Sequence, residues 1–558
     1  MFDIINLRNQ RKDDRMFVPN SHQQLSLYDS FKDLPKYLQE YLLNSWADTF
    51  QEIIFPAIDE ERFAVLYSDK GSRPNTPVNI IISALVIKEL FDLTDERLVA
   101  NIHLSMEYQY ALRLTSEERP PVSKNTFSNF RERVTDYYKE TGIDLIQQEV
   151  ESLAELIRDN LEIEGDRARI DSFMVSSSAR ELSRIELVYT VNANFIKMLS
   201  KSFEDLIPEG LEVYLKESHR NEVIYRTKND ECKSKLKKLL EDAKTLYDAA
   251  VTAGGSITET EEFELLKRML GEQTDYDDDD FDDLDPDNIE AKDGTELESD
   301  ILQNPSDPDA TFRQKYEANI GYTANVLEIF DDDNSVITSY DFKPNIYSDQ
   351  DFSADTLDNI SSDQILNFSI ENPIKIFMDG AYYTYDLAKK ALALGIQFMP
   401  GELIGKKPAA DKMTYYQNFN LDSDYENVLS CANDVEPDYQ EKNPDKNSFY
   451  AVFDKEKCAA CKLKSECRIK SNKKHNSVSF TEQRYETGKL REKMGEKEYI
   501  KECNQRAGVE GIPSVFRRKY DVDEMPVRGE VCQKIWFGFK VAAANFKKLL
   551  KGLELATS

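Results

Sequence analysis

Histidine is scarce in this chain. Among 558 residues there are four, scattered as His22, His103, His219 and His475. A catalytic site that relies on histidine as its general base is therefore not expected. Carboxylates, thiols and hydroxyls are the groups left to carry chemistry.

The sequence also lacks a long apolar run. The longest candidate, residues 80–87, ends at Lys88, far short of the roughly 20 residues that a membrane-spanning helix needs. The first residues, Met1–Arg8, do not have the layout of a signal peptide. These absences predict a soluble cytoplasmic protein without a membrane partner.

Cysteine occurs seven times, an odd number. Without an export signal, this count argues against a disulfide framework. Cys458, Cys461 and Cys467 form a Cys-x2-Cys-x5-Cys run, and Cys431 offers a fourth thiol. Four thiolates suit a tetrahedral structural Zn²⁺. Reduced free thiols and an iron–sulfur cluster are the alternatives.

Charge is unevenly distributed along the chain, whose net charge is −33. Residues 259–309 contain 21 acidic and 3 basic residues, whereas residues 455–519 contain 18 basic and 9 acidic ones. The acidic stretch predicts a solvated, mobile linker, or an anionic segment that competes with DNA. The basic stretch is compatible with a nucleic-acid-binding face despite the overall charge, or with simple solvated lysines.

Helical signals dominate the first 160 residues. Pro77 follows a polar cap and starts one helix, a second begins at Thr94, and a third follows Pro120 and Pro121. Compact helices with short turns can place one helix in a DNA groove. A bundle that serves only packing is the alternative.

The hydrophobic period changes after residue 167. Strands are predicted at 168–175, 322–330, 335–342, 374–379 and 396–399, and a last helix at 531–550. Helices separate the later strands. The order predicts a mixed α/β sheet with an insertion after its first strand.

Two carboxylates occupy strand positions in this predicted sheet. Asp171 is central in the first strand, and Asp379 ends a later one. Converging carboxylates can hold Mg²⁺, which prefers a few carboxylates together with waters and phosphate oxygens. Two such ions about 3.5–4 Å apart can activate an attacking hydroxyl and stabilise a leaving oxygen. A third acid would complete the site.

Three acidic segments resemble the triad of DDE transposases: Asp171 in Arg-Ile-Asp-Ser, Asp379 in Met-Asp-Gly-Ala-Tyr, and Glu510 in Arg-Ala-Gly-Val-Glu-Gly-Ile-Pro. The chain is similar to bacterial insertion-sequence transposases with an N-terminal helical domain and a cysteine-containing insertion. Further segments that resemble this family are Tyr67–Pro74, Phe127–Arg131, Asp307–Ala310 with Lys315, Gly321–Tyr322, Arg528–Gly529 and the final helix.

The resemblance implies a ribonuclease-H-like α/β catalytic core, which is a mixed sheet with flanking helices, interrupted by insertions. Asp171 would lie on its first strand, Asp379 on its fourth, and Glu510 on a helix after the second insertion. The implied domains are a helical DNA-binding domain (1–160), the first part of the core (161–200), a helical and acidic insertion or linker (201–310), the second part of the core (311–402), the cysteine-containing insertion (403–484) and C-terminal helices that complete the core (485–558).

The implied activity is that of a polynucleotidyl transferase. It would bind the ends of its insertion sequence and cleave and join DNA with two Mg²⁺ or Mn²⁺ ions, held by Asp171, Asp379 and Glu510. Element ends and target DNA would be its partners, in a homodimeric complex associated with the nucleoid. A catalytically inactive DNA-binding relative and a metal-dependent nuclease without strand transfer are the alternatives.

The resemblance also implies basic and aromatic DNA contacts. Related transposases carry a Tyr, Arg, Glu, Lys signature around the glutamate, and this chain has Cys503 and Arg517 in place of the tyrosine and the lysine. The residues expected to contact DNA are Arg506, Arg517, Lys519, Arg528 and Tyr382.

Overall fold

The computed structural model describes residues 13–20, 30–68, 74–116, 120–225, 231–276, 286, 289–314, 318–360, 373–405, 415–465, 467 and 469–557. No helix in these ranges is long and apolar enough to cross a membrane. Positions 69–73, Lys315 and the acidic run 277–283 lie outside the described residues.

The helices are α1 (Lys36–Leu43), α2 (Trp46–Thr49), α3 (Val78–Leu90), α4 (Asp95–Leu104), α5 (Met106–Ala111), α6 (Lys124–Thr141), α7 (Leu145–Asn160), α8 (Arg184–Ser202), α9 (Glu217–Arg220), α10 (Cys232–Ala253), α11 (Glu261–Gln273), α12 (Asp349–Asn359), α13 (Tyr385–Ala393), α14 (Lys455–Ala459), α15 (Glu482–Lys493), α16 (Lys497–Cys503), α17 (Gly511–Lys519) and α18 (Glu530–Thr557).

The strands are β1 (Asp13–Met16), β2 (Tyr67–Ser68), β3 (Arg167–Ser176), β4 (Thr311–Gln314), β5 (Ala318–Phe330), β6 (Ser335–Pro344), β7 (Ile374–Met378), β8 (Ile396–Pro400), β9 (Asn420–Leu421), β10 (Val428–Ser430), β11 (Tyr439–Asn443), β12 (Ser448–Phe453), β13 (Lys470–Ser471) and β14 (Asn476–Thr481).

The chain divides into two compact units. The first unit comprises residues 1–163, 172–347 and 512–558, and the second comprises 164–171 and 348–511. Strand β3 belongs to both units, because the boundary falls directly after Asp171.

Strand pairing forms the mixed α/β fold expected from the sequence. In the second unit the first residues of β3 pair in parallel with β7, and β7 pairs in parallel with β8. In the first unit β5 pairs antiparallel with β4 and β6. Within the described residues the strand order is β4-β5-β3-β7-β8, with β6 also paired to β5. All five strands predicted from hydrophobic patterning are observed.

Two largely buried helices, α3 and α18, form the centre of the first unit. Every residue of α3 is buried, as expected for a helix that is apolar on all sides. Helix α18 packs against α3, α6, α7 and strand β6. The helices predicted after Pro77, at Thr94 and after Pro121 are observed as α3, α4 and α6.

The insertion after β3 contains a packed helical body. Helices α8, α10 and α11 pack together around a shared apolar core. Helix α11 lies inside the acidic stretch, and Leu266 and Met269 on it are fully buried. Ile289 and Leu302 join the same core. The linker prediction was therefore wrong for Glu261–Gln273, where apolar residues at helical spacing outweigh the acidic composition; the acidic run 277–285 lies outside the described residues.

The second unit contains a separate antiparallel sheet in the cysteine-containing region. Its strand order is β11-β12-β14-β13. Phe449, Phe453, Phe480 and Tyr485 are among the buried residues of its core. This small apolar core positions the loops that carry the cysteines.

Candidate active site

Strand β3 presents Arg167, Arg169 and Asp171 at alternate positions. Side chains alternate between the faces of a strand, so these three share one face. Ala168 and Ile170 between them are buried. The Asp171 side chain is 18% exposed, so the acid lies on the more accessible face of a strand whose other face belongs to the core.

Asp379 directly follows the carboxyl end of β7. Its Oδ1 accepts a hydrogen bond from the backbone N of Ala381 at 3.3 Å. Gly380 lies directly against the backbone carbonyl of Glu402, with no room for a Cβ. The glycine therefore allows the two loops after β7 and β8 to approach closely.

Arg506 brings the three predicted acids together in the second unit. Its Nη2 lies 3.8 Å from Oδ2 of Asp171 and 3.8 Å from Oδ2 of Asp379. Its Nη1 lies 3.3 Å from Oε1 of Glu510. The Asp379 and Glu510 side chains are 40% and 60% exposed. Three carboxylates thus converge on one guanidinium.

Two placements differ from the expectation. Glu510 lies in the turn that precedes α17, not on a helix. Because β4 adds a strand before β5, Asp379 follows the fifth strand of the mixed sheet rather than the fourth.

Arg506 lies in a short turn of 3-10 helix, Asn504–Gly508, and this turn is fixed to β3. Arg169 donates a hydrogen bond from Nη1 to the backbone O of Gln505 at 3.2 Å, and Arg167 donates one to its Oε1 at 3.5 Å. Gly508 lies against the Arg169 guanidinium, with no space for a Cβ. Sequence reasoning missed these residues, although the alternation of Arg167 and Arg169 with Asp171 was a readable signal.

A cleft of about 300 Å³ opens beside the acids and is lined by Asp379, Glu402, Tyr499, Cys503, Arg506 and Glu510 among others. Burial raises the pKa of the Cys503 thiol. The thiol therefore stays protonated at neutral pH and gives this end of the cleft no negative charge.

The acids have the oxygen chemistry that Mg²⁺ prefers, but they do not form a metal cage as they stand. Among the described residues, no group of three or more His, Cys, Asp or Glu side chains is arranged closely enough to hold a metal ion. The Arg506 guanidinium contacts all three carboxylates instead. The chemistry of the three donors fits Mg²⁺, whereas their present spacing is that of contacts with a guanidinium.

The other predicted DNA contacts differ in accessibility. Lys519 and Arg528, in the first unit, are exposed. Arg517 donates hydrogen bonds to Oδ2 of Asp523 at 3.1 Å and to the backbone O of Met174 at 2.7 Å. Tyr382 is 1% exposed, which leaves its ring no surface for a DNA contact in this structure.

Four of the five cysteines of the second unit lie together. Cys431, Cys458, Cys461 and Cys467 line one cavity of about 40 Å³, together with apolar side chains such as Phe419 and Ile469. Burial, and then the proximity of the other three thiols, raise the pKa of Cys467. All seven cysteines of the chain are free of disulfides. The structure therefore brings Cys431 to the Cys-x2-Cys-x5-Cys run.

Exposed lysines surround this cysteine cluster. Lys455 donates a hydrogen bond from Nζ to the backbone O of Lys473 at 3.3 Å. This bond connects the lysine-rich segment around Lys455 with the one around Lys473. The exposed lysines in this region are Lys455, Lys457, Lys462, Lys464, Lys470, Lys473 and Lys474. They provide concentrated positive charge in an acidic chain.

Comparison with known proteins gives two matches to family models. Residues 430–550 match a transposase DDE domain, and residues 40–133 match a transposase domain (DUF772). No curated protein and no solved structure matches the chain significantly. The first match includes the cysteine cluster, Arg506 and Glu510, and the second includes α3 and α4. Both matches are to transposase families, one of them a DDE domain, and they indicate a DDE transposase of the insertion-sequence type.

Proposed function

We propose that this chain cleaves DNA at the ends of an insertion sequence and transfers the freed strand to target DNA, in a metal-dependent reaction. The observation that carries the proposal is the convergence of Asp171, Asp379 and Glu510 on Arg506, with contacts of 3.3–3.8 Å. Acids from separate segments gather in this way where a site binds cations or handles phosphates.

A ribonuclease-H-like catalytic core is part of this proposal. Parallel strands β3, β7 and β8 continue through β3 to the antiparallel strands β5 and β6. Asp171 on the central strand and Asp379 after its parallel neighbour occupy adjacent positions in that order. The strand order and the acid positions together support the assignment.

Asp171, Asp379 and Glu510 are the residues that would hold Mg²⁺ or Mn²⁺. Two bound ions would activate the attacking oxygen and stabilise the leaving oxygen. The first reaction is hydrolysis of a phosphodiester at the element end, which frees a 3′-hydroxyl. That hydroxyl then attacks a target phosphodiester, so that one set of acids serves hydrolysis and transesterification.

Basic side chains would bind the DNA backbone. Arg506 can form paired hydrogen bonds to a phosphate, and the exposed Lys519 and Arg528 offer further positive charge. Arg517 would have to give up its hydrogen bond to Asp523 before it could bind a phosphate. Two regions would bind the element ends: the lysines around the cysteine cluster, and the N-terminal helices. Two copies of the chain would then bridge two ends.

The four-cysteine cavity would hold a structural Zn²⁺. The support is the chemistry of the donors: four thiols from two separate segments line one small cavity, although among the described residues they are not drawn together into a metal-holding group. Zn²⁺ bound by four thiolates is tetrahedral and structural. Bound metal would fix the loop of Cys431 to the lysine-rich segment and so position that surface for DNA.

Cleavage of DNA that carries the sequences flanking the gene tests the catalytic proposal. The assay compares wild type, Asp379→Asn and the exposed control Asp438→Asn in Mg²⁺ or Mn²⁺. We expect metal-dependent cuts at a defined end and joined products, both lost only in Asp379→Asn. Cuts without joined products would indicate a nuclease. Binding without cuts by any protein would indicate an inactive DNA-binding relative.

A further inference from the structure

Arg506 holds the acidic site in a state that opposes metal binding. Its guanidinium lies within 3.8 Å of oxygens from Asp171, Asp379 and Glu510. Bound Mg²⁺ would need the same oxygens at about 2.0–2.1 Å. Two cations competing for one set of carboxylates repel each other strongly at such distances, so the guanidinium and the metals compete for the acids.

The backbone beneath Arg506 is fixed, but its side chain can change partners. Gln505 is bound by Arg169 and Arg167 on β3, which anchors the turn. The Arg506 side chain is 22% exposed, and its buried Nε has no hydrogen-bond partner among the residues that the structure describes. Rotation of the side chain would therefore release the acids without unfolding the turn.

An arginine does not lose its proton at any pH that the protein would meet. Neutralisation therefore cannot free the acids, and the guanidinium must move. A DNA phosphate offers the negative charge and the paired acceptors that guanidinium prefers. The cleft beside Asp379 and Glu510 is open to such a group.

We propose that Arg506 is a positioning residue that occupies the acidic triad in the DNA-free protein and yields it to divalent metal when a phosphodiester draws the guanidinium away. Metal loading is then coupled to DNA binding, and each raises the affinity for the other. The inference rests on the proposed function, because it takes the three acids as the metal ligands.

The test measures Mn²⁺ affinity of the full-length protein without DNA, from the electron paramagnetic resonance signal of free Mn²⁺. The proteins are wild type, Arg506→Ala, Arg506→Ala with Asp379→Asn, and the control Arg491→Ala on α15. We expect Arg506→Ala to bind Mn²⁺ about tenfold more tightly or better, since a positive charge leaves the site. Asp379→Asn should abolish the gain, and Arg491→Ala should match wild type.

Thermal denaturation gives an independent readout. Without metal, Arg506→Ala should melt below wild type, because three carboxylates then lack their shared cation, and Mn²⁺ should raise its melting temperature more than that of wild type. If Arg506→Ala fails to fold, Arg506→Gln removes the charge while retaining hydrogen bonding. The same comparison then applies to Arg506→Gln.

The outcomes separate the two proposals. Equal, Asp379-dependent Mn²⁺ affinity in wild type and Arg506→Ala would overturn the role of Arg506 and leave the proposed function standing. Absence of Asp379-dependent Mn²⁺ binding in every protein would overturn the metal site of the proposed function, and the role of Arg506 with it.

Discussion

Gly508 lies directly against the guanidinium of Arg169, in the turn that carries Arg506. The same guanidinium donates to the backbone O of Gln505 at 3.2 Å. This contact fixes the turn to β3 only because position 508 has no Cβ. Glycine is thus required here for close approach, which is one of its specific uses in a backbone.

Replacing Gly508 by alanine should displace the tip of Arg169 and break its bond to Gln505. The tip is flexible, so we expect a cost of about 1.5–3 kcal/mol, the range of a hydrogen bond to a charged group, and not global unfolding. Because Arg506 then loses its fixed turn, DNA cleavage should fall much more than stability. Melting temperature and cleavage rate measure the two effects.

Gly511→Ala is the matched control, because a Cβ at Gly511 would meet no atom of the described part of the chain within 4 Å. It should leave the melting temperature unchanged. Equal stability and equal cleavage in both variants would show that the contact between Gly508 and Arg169 does not position the site.

The cysteine cluster should contain about one Zn²⁺ per chain, since four thiolates complete a tetrahedral site. Cys458→Ser should remove the metal and loosen the surrounding loops, whereas Cys503→Ser, outside the cluster, should retain it. Elemental analysis of the purified proteins measures the metal. Iron in place of zinc would indicate an iron–sulfur cluster. Absence of metal from the wild-type protein would indicate that the cysteines are free thiols.

The lysines beside the cluster should set part of the salt dependence of DNA binding. Exchange of Lys455, Lys473 and Lys474 for alanine should weaken binding and lower the slope of log affinity against log salt concentration. The slope falls by about 0.9 for each lost phosphate contact on duplex DNA, or roughly 2–3 for three contacts. Fluorescence anisotropy over a salt series measures it.

A variant with equal charge change provides the control for these lysines. It replaces three exposed lysines of the helical insertion, Lys197, Lys201 and Lys216. If both triple variants shift the slope equally, the effect reflects net charge and not a surface at the cluster.

Glu149 should make the first unit less stable as pH rises from about 4.5 to 7. Its carboxyl is buried, and burial raises its pKa from 4.5 to about 7 although Arg62 lies 2.8 Å away. The folded state therefore binds this proton more tightly than the unfolded chain does. The resulting stabilisation is present below pH 4.5 and is lost as pH rises to about 7. Its size is on the order of 3 kcal/mol.

Glu149→Gln should flatten this pH dependence, because glutamine does not titrate. Calorimetric melting temperatures at pH 5 and pH 7.5 measure it, with the exposed Glu61→Gln as control. An unchanged slope in Glu149→Gln would assign the pH dependence to other groups.

Local sequence patterns predicted most elements of the fold. The polar cap before Pro77 predicted α3, and the alternation around Asp171 predicted β3. Such patterns reflect capping and side-chain periodicity, which act over a few residues. Composition was less reliable: the acidic stretch predicted a linker, yet α11 inside it has a buried apolar face.

The sequence by itself determined which residues can carry the chemistry. Histidine is too scarce to do so, whereas acids occur at strand positions and a run of cysteines occurs in a basic segment. Only the tertiary structure decided that Arg506 lies among Asp171, Asp379 and Glu510, that Cys431 joins the other three cysteines, and that Tyr382 is buried. These relationships join residues that are distant along the chain. They depend on how strands and turns pack, and no local pattern records that packing.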